Sequence, residues 1–475
     1  MHKGVIMIDL LATHEKLKKL IASFSRRSKQ IYVVGGSVRD TILQREHIDI
    51  DFATDARPEL VKTLVAEIEP EAIYTVGERF GTIGAIVDGR VLEITTFRSE
   101  RYKPYSRKPD VSFGTSLEGD LSRRDFTINA IAQNPLTGEM IDPYNGLKDI
   151  KARVIRAVGN ADERFTEDPL RMMRAVRFAA QLGFDIESGT AQAILRNHRE
   201  LRLVSQERIT DEMNKILLSP NPGQGVRRLC DLGMMEFIVP EFLELRGTEQ
   251  DEYHHKDVFE HTLIVLDRVA PDLRLRWAAL LHDIAKPVTK VIANGEVHFY
   301  GHDIVGAEMA RSIMLRLRLD RSTIDVVHKL VSMHQRTNLY ESSWTDGAIR
   351  RLIRDAGDEL GFLLALSRAD ITSRRPRKVE YALSQLAELE ERINRLIEQE
   401  EVKALKSPLD GNELMAIFNR PPGPWIKVVK EYLLSKVLDG ELAPDDKETA
   451  RKMAEEFVTR ERGTGNREEG IGNRD

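Results

Sequence analysis

The sequence predicts an α+β protein, with a small α/β head followed by a long, mostly helical body. Three observations carry this expectation. β-rich runs punctuated by glycines are confined to residues 29 to about 155. Two of those runs, in "TIGAIVDGRVLEITTF", flank Asp88-Gly89, the pair favoured in a tight hairpin turn. Beyond residue 155 the apolar residues change to helical spacing. At 475 residues the chain is too long for one ordinary core, so several domains are expected.

The elements follow in order. Residues 1–28, with "LATHEKLKKLIASF", read as an N-terminal helical extension. "QIYVVGG" reads as a buried strand ended by paired glycines, and "SVRDTILQ" as a helix with Ser37 as its N-cap. "HIDIDFAT" is a second strand, and "RPELVKTLVAEI" a helix with Pro58 in its first turn. The head is assigned to 29–155, with a mixed sheet of about five strands. Helical spacing then marks a neck at 156–220 and a body connector at 221–250. It continues through a third domain at 251–375 and a helical tail at 376–450. Breaks are expected at 218–225, 243–255 and 374–378. The polar, glycine-rich end, residues 451–475, reads as disordered.

Composition narrows the classes. With 41% hydrophobic and 31% charged residues the chain is globular and rich in charge. No apolar run is long enough to span a bilayer, the start lacks a signal-peptide layout, and no membrane partner is expected. Cys230 is the only cysteine, which excludes a disulfide framework and suits the cytoplasm; its apolar setting reads as packing. A net charge of −5 excludes polyanion binding by the chain as a whole, so any nucleic-acid surface must be a local patch. The oligomeric state is not legible.

Two constellations carry chemistry. In "HIDIDFAT", Asp49 and Asp51 are two apart on a strand and point to one face. Like charges that close repel unless a cation lies between them, and Mg²⁺ takes such hard oxygen ligands together with substrate phosphates. Two metals can clamp the attacking and leaving oxygens of an in-line displacement. Just upstream, Gly35 and Gly36 let the backbone approach a phosphate, and Arg39 adds a cation. Glu93 in "VLEITTF" is the best-placed third carboxylate. The second constellation is His261, the doublet His282-Asp283, and Asp370. Buried His and carboxylate ligands suit a transition metal such as Mn²⁺, Ni²⁺, Co²⁺ or Fe²⁺, and His302 and His334 are candidates for a second metal.

"GGSVRD" with "DIDFATDARPE" resembles motif A of the class II tRNA nucleotidyltransferases, in the polymerase-beta-like superfamily. "RRDFTINAIA" resembles motif B, which implies that Arg124, Asp125 and Asn129 hold the nucleotide's sugar and phosphates. "DPYNGLKDI" resembles motif C, a link from head to neck. "RFTEDPLRMMRAVRFAAQLGF" resembles motif D, which adds Asp168, Arg171, Arg174 and Arg177 to the nucleotide-binding set. "SQERITDEMNKIL" resembles motif E, which braces the neck. Asp168 and Arg171, three apart at a helix start, share a face. One offers acceptors and the other donors, enough to pair with the edge of cytosine or adenine or simply with each other.

The histidine order in "HHKDVFEHT", "ALLHDIAKP" and "FYGHD" resembles the HD phosphohydrolases. The resemblances imply addition of C, C and A to tRNA from CTP and ATP, with Mg²⁺ in the head. They also imply a metal-dependent phosphatase or 2′,3′-cyclic phosphodiesterase in the body. In the loop "ERYKPYSRKPDVSF", Arg107 and Pro109 keep part of the family's Y-x-D-x-R-x-P pattern, but Pro104 stands near the expected aspartate. Addition of C-C alone or A alone therefore stays open. So do poly(A) addition and, from a different class, an HD phosphohydrolase with an RNA-binding head.

Overall fold

The computed structural model describes residues 14–45, 49–101, 110–114, 116–248, 257–293, 296–373, 375–398 and 406–465. The chain divides into two compact units. One runs to Leu243 and includes Arg316–Arg318, and the other comprises the rest from Glu244 onward.

The first unit opens with the helix Glu15–Arg26, which buries Leu17, Leu20, Ile21 and Phe24 on one stripe. Each such side chain contributes about 1.5–3 kcal/mol of transfer free energy, so the stripe, rather than propensity, fixes the helix. Its head is a mixed sheet of strands β1 (Ile31–Val34), β2 (Ile50–Thr54), β3 (Ala72–Tyr74), β4 (Thr82–Val87), β5 (Arg90–Thr96), β8 (Ala132–Gln133) and β9 (Met140–Ile141). The spatial order is β3-β4-β5-β2-β1-β8-β9, seven strands where the sequence suggests about five. The extra pair, β8 and β9, is two residues each, too short for alternation to mark. A separate antiparallel hairpin pairs β6 (Arg98–Arg101) with β7 (Asp110–Phe113). Residues 102–109 between them, with Pro104, Arg107 and Pro109, lie outside the described residues.

The β4–β5 turn is built as its sequence requires. Asp88 and Gly89 both have positive φ, 51° and 72°, as a type I′ turn demands. Beyond the head the unit is mainly helical, with Leu170–Leu182 and Gln206–Leu217 as its main neck helices. The neck is not purely helical, because Val154–Ile155 and Asp185–Ile186 form a short parallel pair. Cys230 is buried in the helix Pro222–Asp231.

Among its described residues the second unit is helical except for one hairpin, Lys290–Ala293 with Glu296–Phe299, which also departs from the all-α expectation. Its C-terminal helices pack a core of their own around Leu414, Val429, Leu433, Val437, Ala450 and Ala454. The disorder expected from 451 is contradicted up to Gly465, because the helix Lys447–Gly465 covers that stretch. Tyr432 and Phe457 stack there at 4.1 Å, giving the helix an apolar face to bury. No helix among the described residues is long and apolar enough to cross a membrane.

Candidate active site

The head carboxylates stand on the open face of the sheet. β2 and β5 run parallel with Asp51 opposite Glu93. Paired positions share a face, so these side chains sit together while Phe52 and Ile94 enter the core. Asp49, two residues earlier, is exposed. Burial pushes the Asp51 carboxyl up and the charges of Glu93 and Asp49 add to it; despite Arg124 and Arg39 it is raised to about 6. That surplus of negative charge on oxygen donors fits a hard divalent cation. Glu93 does not line the cavity in front of Asp49 and Asp51. Nor do the three carboxylates close to within 4.8 Å of one another.

Ser37 locks this strand in place. It is not the helix cap, because Gly35 is, with φ of +68°. Ser37 lies buried inside Gly36–Ile42, where its hydroxyl donates to the Asp49 carbonyl at 3.3 Å and accepts from the Asp51 amide at 2.9 Å. Glycine is favoured at 35 because φ is +68°, and a Cβ there would also displace the Arg124 guanidinium, whose Nη1 would lie 2.7 Å away.

Facing the carboxylates is a wall of arginines. The cavity, about 1230 Å³, is lined by eight arginines and six carboxylates, a local net charge of +2 in an acidic chain. Arg39 is buried, paired with Asp40, and donates to Asn129 Oδ1 at 2.6 Å. Arg174 grips Asp125 through Nε at 2.8 Å and Nη2 at 2.5 Å. Burial alone would raise the Asp125 carboxyl. Arg174, with hydrogen bonds from Asn129 and the Phe126 amide, instead holds it at about 2. Arg177 pairs with Glu212 at 2.9 Å. Arg124 reaches the buried Asp120 at 3.2 Å and the Asn129 carbonyl at 3.4 Å. One ring organises three of these cations: Arg39, Arg174 and Arg177 lie over Phe178 at 5.1, 5.4 and 4.2 Å from its centre.

Asp168 and Arg171 both line the cavity, but not as a pair on one helix face. Asp168 is extended, with φ −144° and ψ 99°, and the helix begins only at Leu170. Pro169 is the cause, since a residue before proline is pushed out of the α region. Asp168 accepts from the Leu170 amide at 3.2 Å and from Arg208 at 2.8 Å. Arg171 instead pairs with Glu167 at 2.7 Å and donates to the Arg123 and Arg164 carbonyls. Sequence reasoning missed Arg208, Asp120 and Phe178, and it places Ser37 at the helix cap rather than against the Asp49–Asp51 backbone.

The second unit gathers the histidine set. His261 Nε2 lies 2.8 Å from Asp370 Oδ1 and 3.2 Å from His282 Nε2. Asp283 faces both halves, with Oδ2 3.2 Å from His282 and Oδ1 3.4 Å from His302 and 3.9 Å from His334. The Nδ1 atoms all face oxygens: Ala279, Phe299 and Val331 carbonyls for His282, His302 and His334, and the Thr372 hydroxyl for His261. A carbonyl can only accept, so in His282, His302 and His334 the second bond places the proton on Nδ1 and turns Nε2 inward, as metal-binding imidazoles require. Burial works against a charged His282, yet Asp283 and Asp370 push it up to about 10. Burial and the neighbouring His282 hold His334 down to about 4. His261, His282 and Asp283 form one candidate metal group, and Asp283, His302 and His334 another.

These features define the class: a polymerase-type nucleotidyltransferase head joined to an HD-type metal domain. Residues 31–156 match the family described as the poly A polymerase head domain. Residues 183–245 match that of the probable RNA and SrmB-binding site of polymerase A, and 258–374 the HD domain. A CCA-adding enzyme of Geobacillus is 32% identical over 430 residues, 90% of this chain and 93% of that protein. The chain belongs to the CCA-adding enzyme family. A second relative, the CCA-adding enzyme of Anoxybacillus flavithermus, is 40% identical over 264 residues, 55% of this chain; the chain spans 63% of that relative's length. The A-adding tRNA nucleotidyltransferase of Deinococcus radiodurans is 35% identical over 357 residues, 72% of this chain and 80% of that protein. The crystal structure of the Bacillus stearothermophilus CCA-adding enzyme in complex with CTP aligns at 26% identity and a TM-score of 0.67, covering 94% of this chain and 99% of that one. Both domain types imply dependence on divalent metal.

Proposed function

We propose that the chain adds C, C and A to the 3′ ends of tRNA in the cytoplasm, from CTP and ATP and without a nucleic-acid template. The observation that carries the proposal is the head cavity, which sets Asp49 and Asp51 against an arginine wall. The tRNA 3′ hydroxyl attacks the α-phosphate in line, and pyrophosphate leaves. Asp49 and Asp51, with Glu93 beside them, hold Mg²⁺, which when bound neutralises developing phosphate charge. Arg39 and the Gly35-Gly36 turn receive the triphosphate. Arg124, Asp125 and Asn129 place the sugar. Arg174, anchored on Asp125, and Arg177 extend the cationic wall. Asp168 and Arg171 read the base, Arg171 exchanging its Glu167 contact for the base edge. Catalysis is then positioning and charge neutralisation.

In the second unit, His261, His282, Asp283 and Asp370 hold one transition metal, with Asp283, His302 and His334 holding another. Mn²⁺, Ni²⁺, Co²⁺ and Fe²⁺ suit these donors, and the domain acts as a phosphatase or 2′,3′-cyclic phosphodiesterase. A-only addition is the second reading, favoured by the Deinococcus relative. A poly(A) polymerase would share the head but needs no such HD site. The carboxylates lining the head cavity argue against a head that merely clamps RNA.

The test is incubation with tRNA ending at the discriminator base and labelled CTP or ATP, separately and together. Label from ATP only in the presence of CTP supports C-C-A addition. Label from ATP alone, without CTP, overturns it.

A further inference from the structure

We propose that Phe178 is a positioning residue for nucleotide addition: its ring holds Arg39, Arg174 and Arg177 together as one receiver for the triphosphate of CTP or ATP, without cancelling their charge. The proposal rests on the reading of the head cavity as the triphosphate site. It goes further by assigning the assembly of that site to an apolar side chain that forms no ion pair.

The three guanidiniums come from two segments. Arg39 stands on the short helix Gly36–Ile42, just after the glycine turn. Arg174 and Arg177 stand with Phe178 on the helix Leu170–Leu182. Arg174 is four residues before Phe178, so the two share a helix face. The guanidinium carbons of Arg39, Arg174 and Arg177 lie 5.1, 5.4 and 4.2 Å from the ring centre, all within the range of a cation–π contact. The ring is itself fixed. It is buried at the wall of the cavity and meets the Phe126 ring nearly at right angles, with centres 5.8 Å apart and planes at 81°. Phe126 is fully buried, and its amide donates to Asp125, the carboxylate that grips Arg174.

Three cations gathered around one ring repel. Arg177 shows the effect: burial pushes its guanidinium down, and the charges of Arg174 and Arg39 add to this against the Glu212 carboxylate. Each arginine already pairs with a carboxylate, Asp40, Asp125 or Glu212. A further carboxylate at their centre would hold them but cancel the field that an incoming anion needs. An aromatic ring attracts cations through its quadrupole and carries no net charge. It therefore offsets the repulsion in the free protein and leaves the positive charge for the ligand. Asp168 and Arg171 are held by other partners, Arg208 and Glu167. Loss of the ring should thus weaken every nucleotide alike and leave the choice of base as it was.

The experiment uses the full chain with Mg²⁺. Binding of inorganic tripolyphosphate, which has neither base nor sugar, is measured by calorimetry. KM for CTP is measured on tRNA ending at the discriminator base, and KM for ATP on tRNA ending in C-C. Phe178→Leu removes the ring. Phenylalanines carrying one, two or three ring fluorines at position 178 keep the shape and drain charge from the ring face. Phe178→Leu should weaken tripolyphosphate binding and raise both KM values about tenfold, with the preference for C and A over U and G as in wild type. The fluorinated series should weaken binding stepwise toward the leucine value. A ring that served only as packing would leave that series at the wild-type affinity. Fluorinated proteins that bind tripolyphosphate as well as wild type, or better, would overturn the proposal whether or not the leucine variant folds. A loss confined to CTP or to ATP would also overturn it. Absence of tripolyphosphate binding in wild type would instead overturn the triphosphate reading of the arginine wall.

Discussion

Asp125→Asn should destabilise the protein and weaken nucleotide binding together. Asp125 is buried, gripped by Arg174 at 2.8 and 2.5 Å, and also bonded by the Asn129 side chain and the Phe126 amide at 3.1 and 2.8 Å. Its carboxyl is held at about 2 against an ordinary 3.8, so its ionised form contributes about 2.5 kcal/mol at neutral pH. The sign follows from the depressed value: the contribution is present above pH 3.8 and is lost as pH falls through about 2. Asparagine keeps the shape but removes the charge, leaving the half-buried Arg174 against a neutral partner. At pH 7 the variant should lose about 2–3 kcal/mol in urea unfolding, with a fall of roughly 2–4 °C in Tm per kcal/mol. The gap between variant and wild type should narrow below pH 4. Arg174, freed from its anchor, should bind CTP and ATP less well, raising KM. A loss below about 0.5 kcal/mol, or a gap unchanged by acid, would refute the reasoning.

The remaining predictions concern single groups. Asp49→Ala and Asp51→Ala should each abolish nucleotide addition while tRNA binding survives in gel shifts; near-normal addition by either would remove the metal role. Asp51→Asn should stabilise metal-free protein at pH 8 by about 2 kcal/mol. A carboxyl raised to about 6 loses stability as pH rises through that value, so the gain should vanish near pH 4 in thermal melts. Asp168→Ala should relax the preference for C and A over U and G, and Arg208→Ala should do so partially by releasing the 2.8 Å contact that holds Asp168. Competition kinetics with all four triphosphates would show it, and full selectivity in both would move base reading elsewhere. His282→Ala or Asp283→Ala should end phosphohydrolysis and leave addition largely intact, since each metal set has its own local ligands. Parallel assays on one preparation test this, and loss of addition would show coupled sites.

Much of the head was legible because alternation and turn chemistry act locally. The strand face of Asp49 and Asp51 and the Asp88-Gly89 hairpin need only neighbouring residues. The histidine set was legible through its order, although the Thr372 contact that orients His261 spans 111 residues and leaves no local trace. Asp168 is a different case. Pro169 already signals that residue 168 leaves the helix, and the three-residue spacing to Arg171 outweighed it wrongly. Ser37 has the chemistry of a cap, but Gly35, with φ of +68°, starts the helix earlier than a serine cap would. Arg208 reaches Asp168 across 40 residues, and Phe178 gathers arginines from two segments, so neither pairing could be read from spacing. The tail carried a usable signal in Ala450, Ala454 and Phe457, whose helical spacing was outweighed by the glycines that follow.

The central claim is that one head cavity builds a defined three-nucleotide end without a template. The most direct measurement is sequencing of the 3′ tails made on tRNA that ends at the discriminator base, with CTP, ATP and Mg²⁺ all present. The account predicts tails of C-C-A that stop at three nucleotides. Runs of A, tails that stop at C-C, or no growth unless C-C is already present would contradict it.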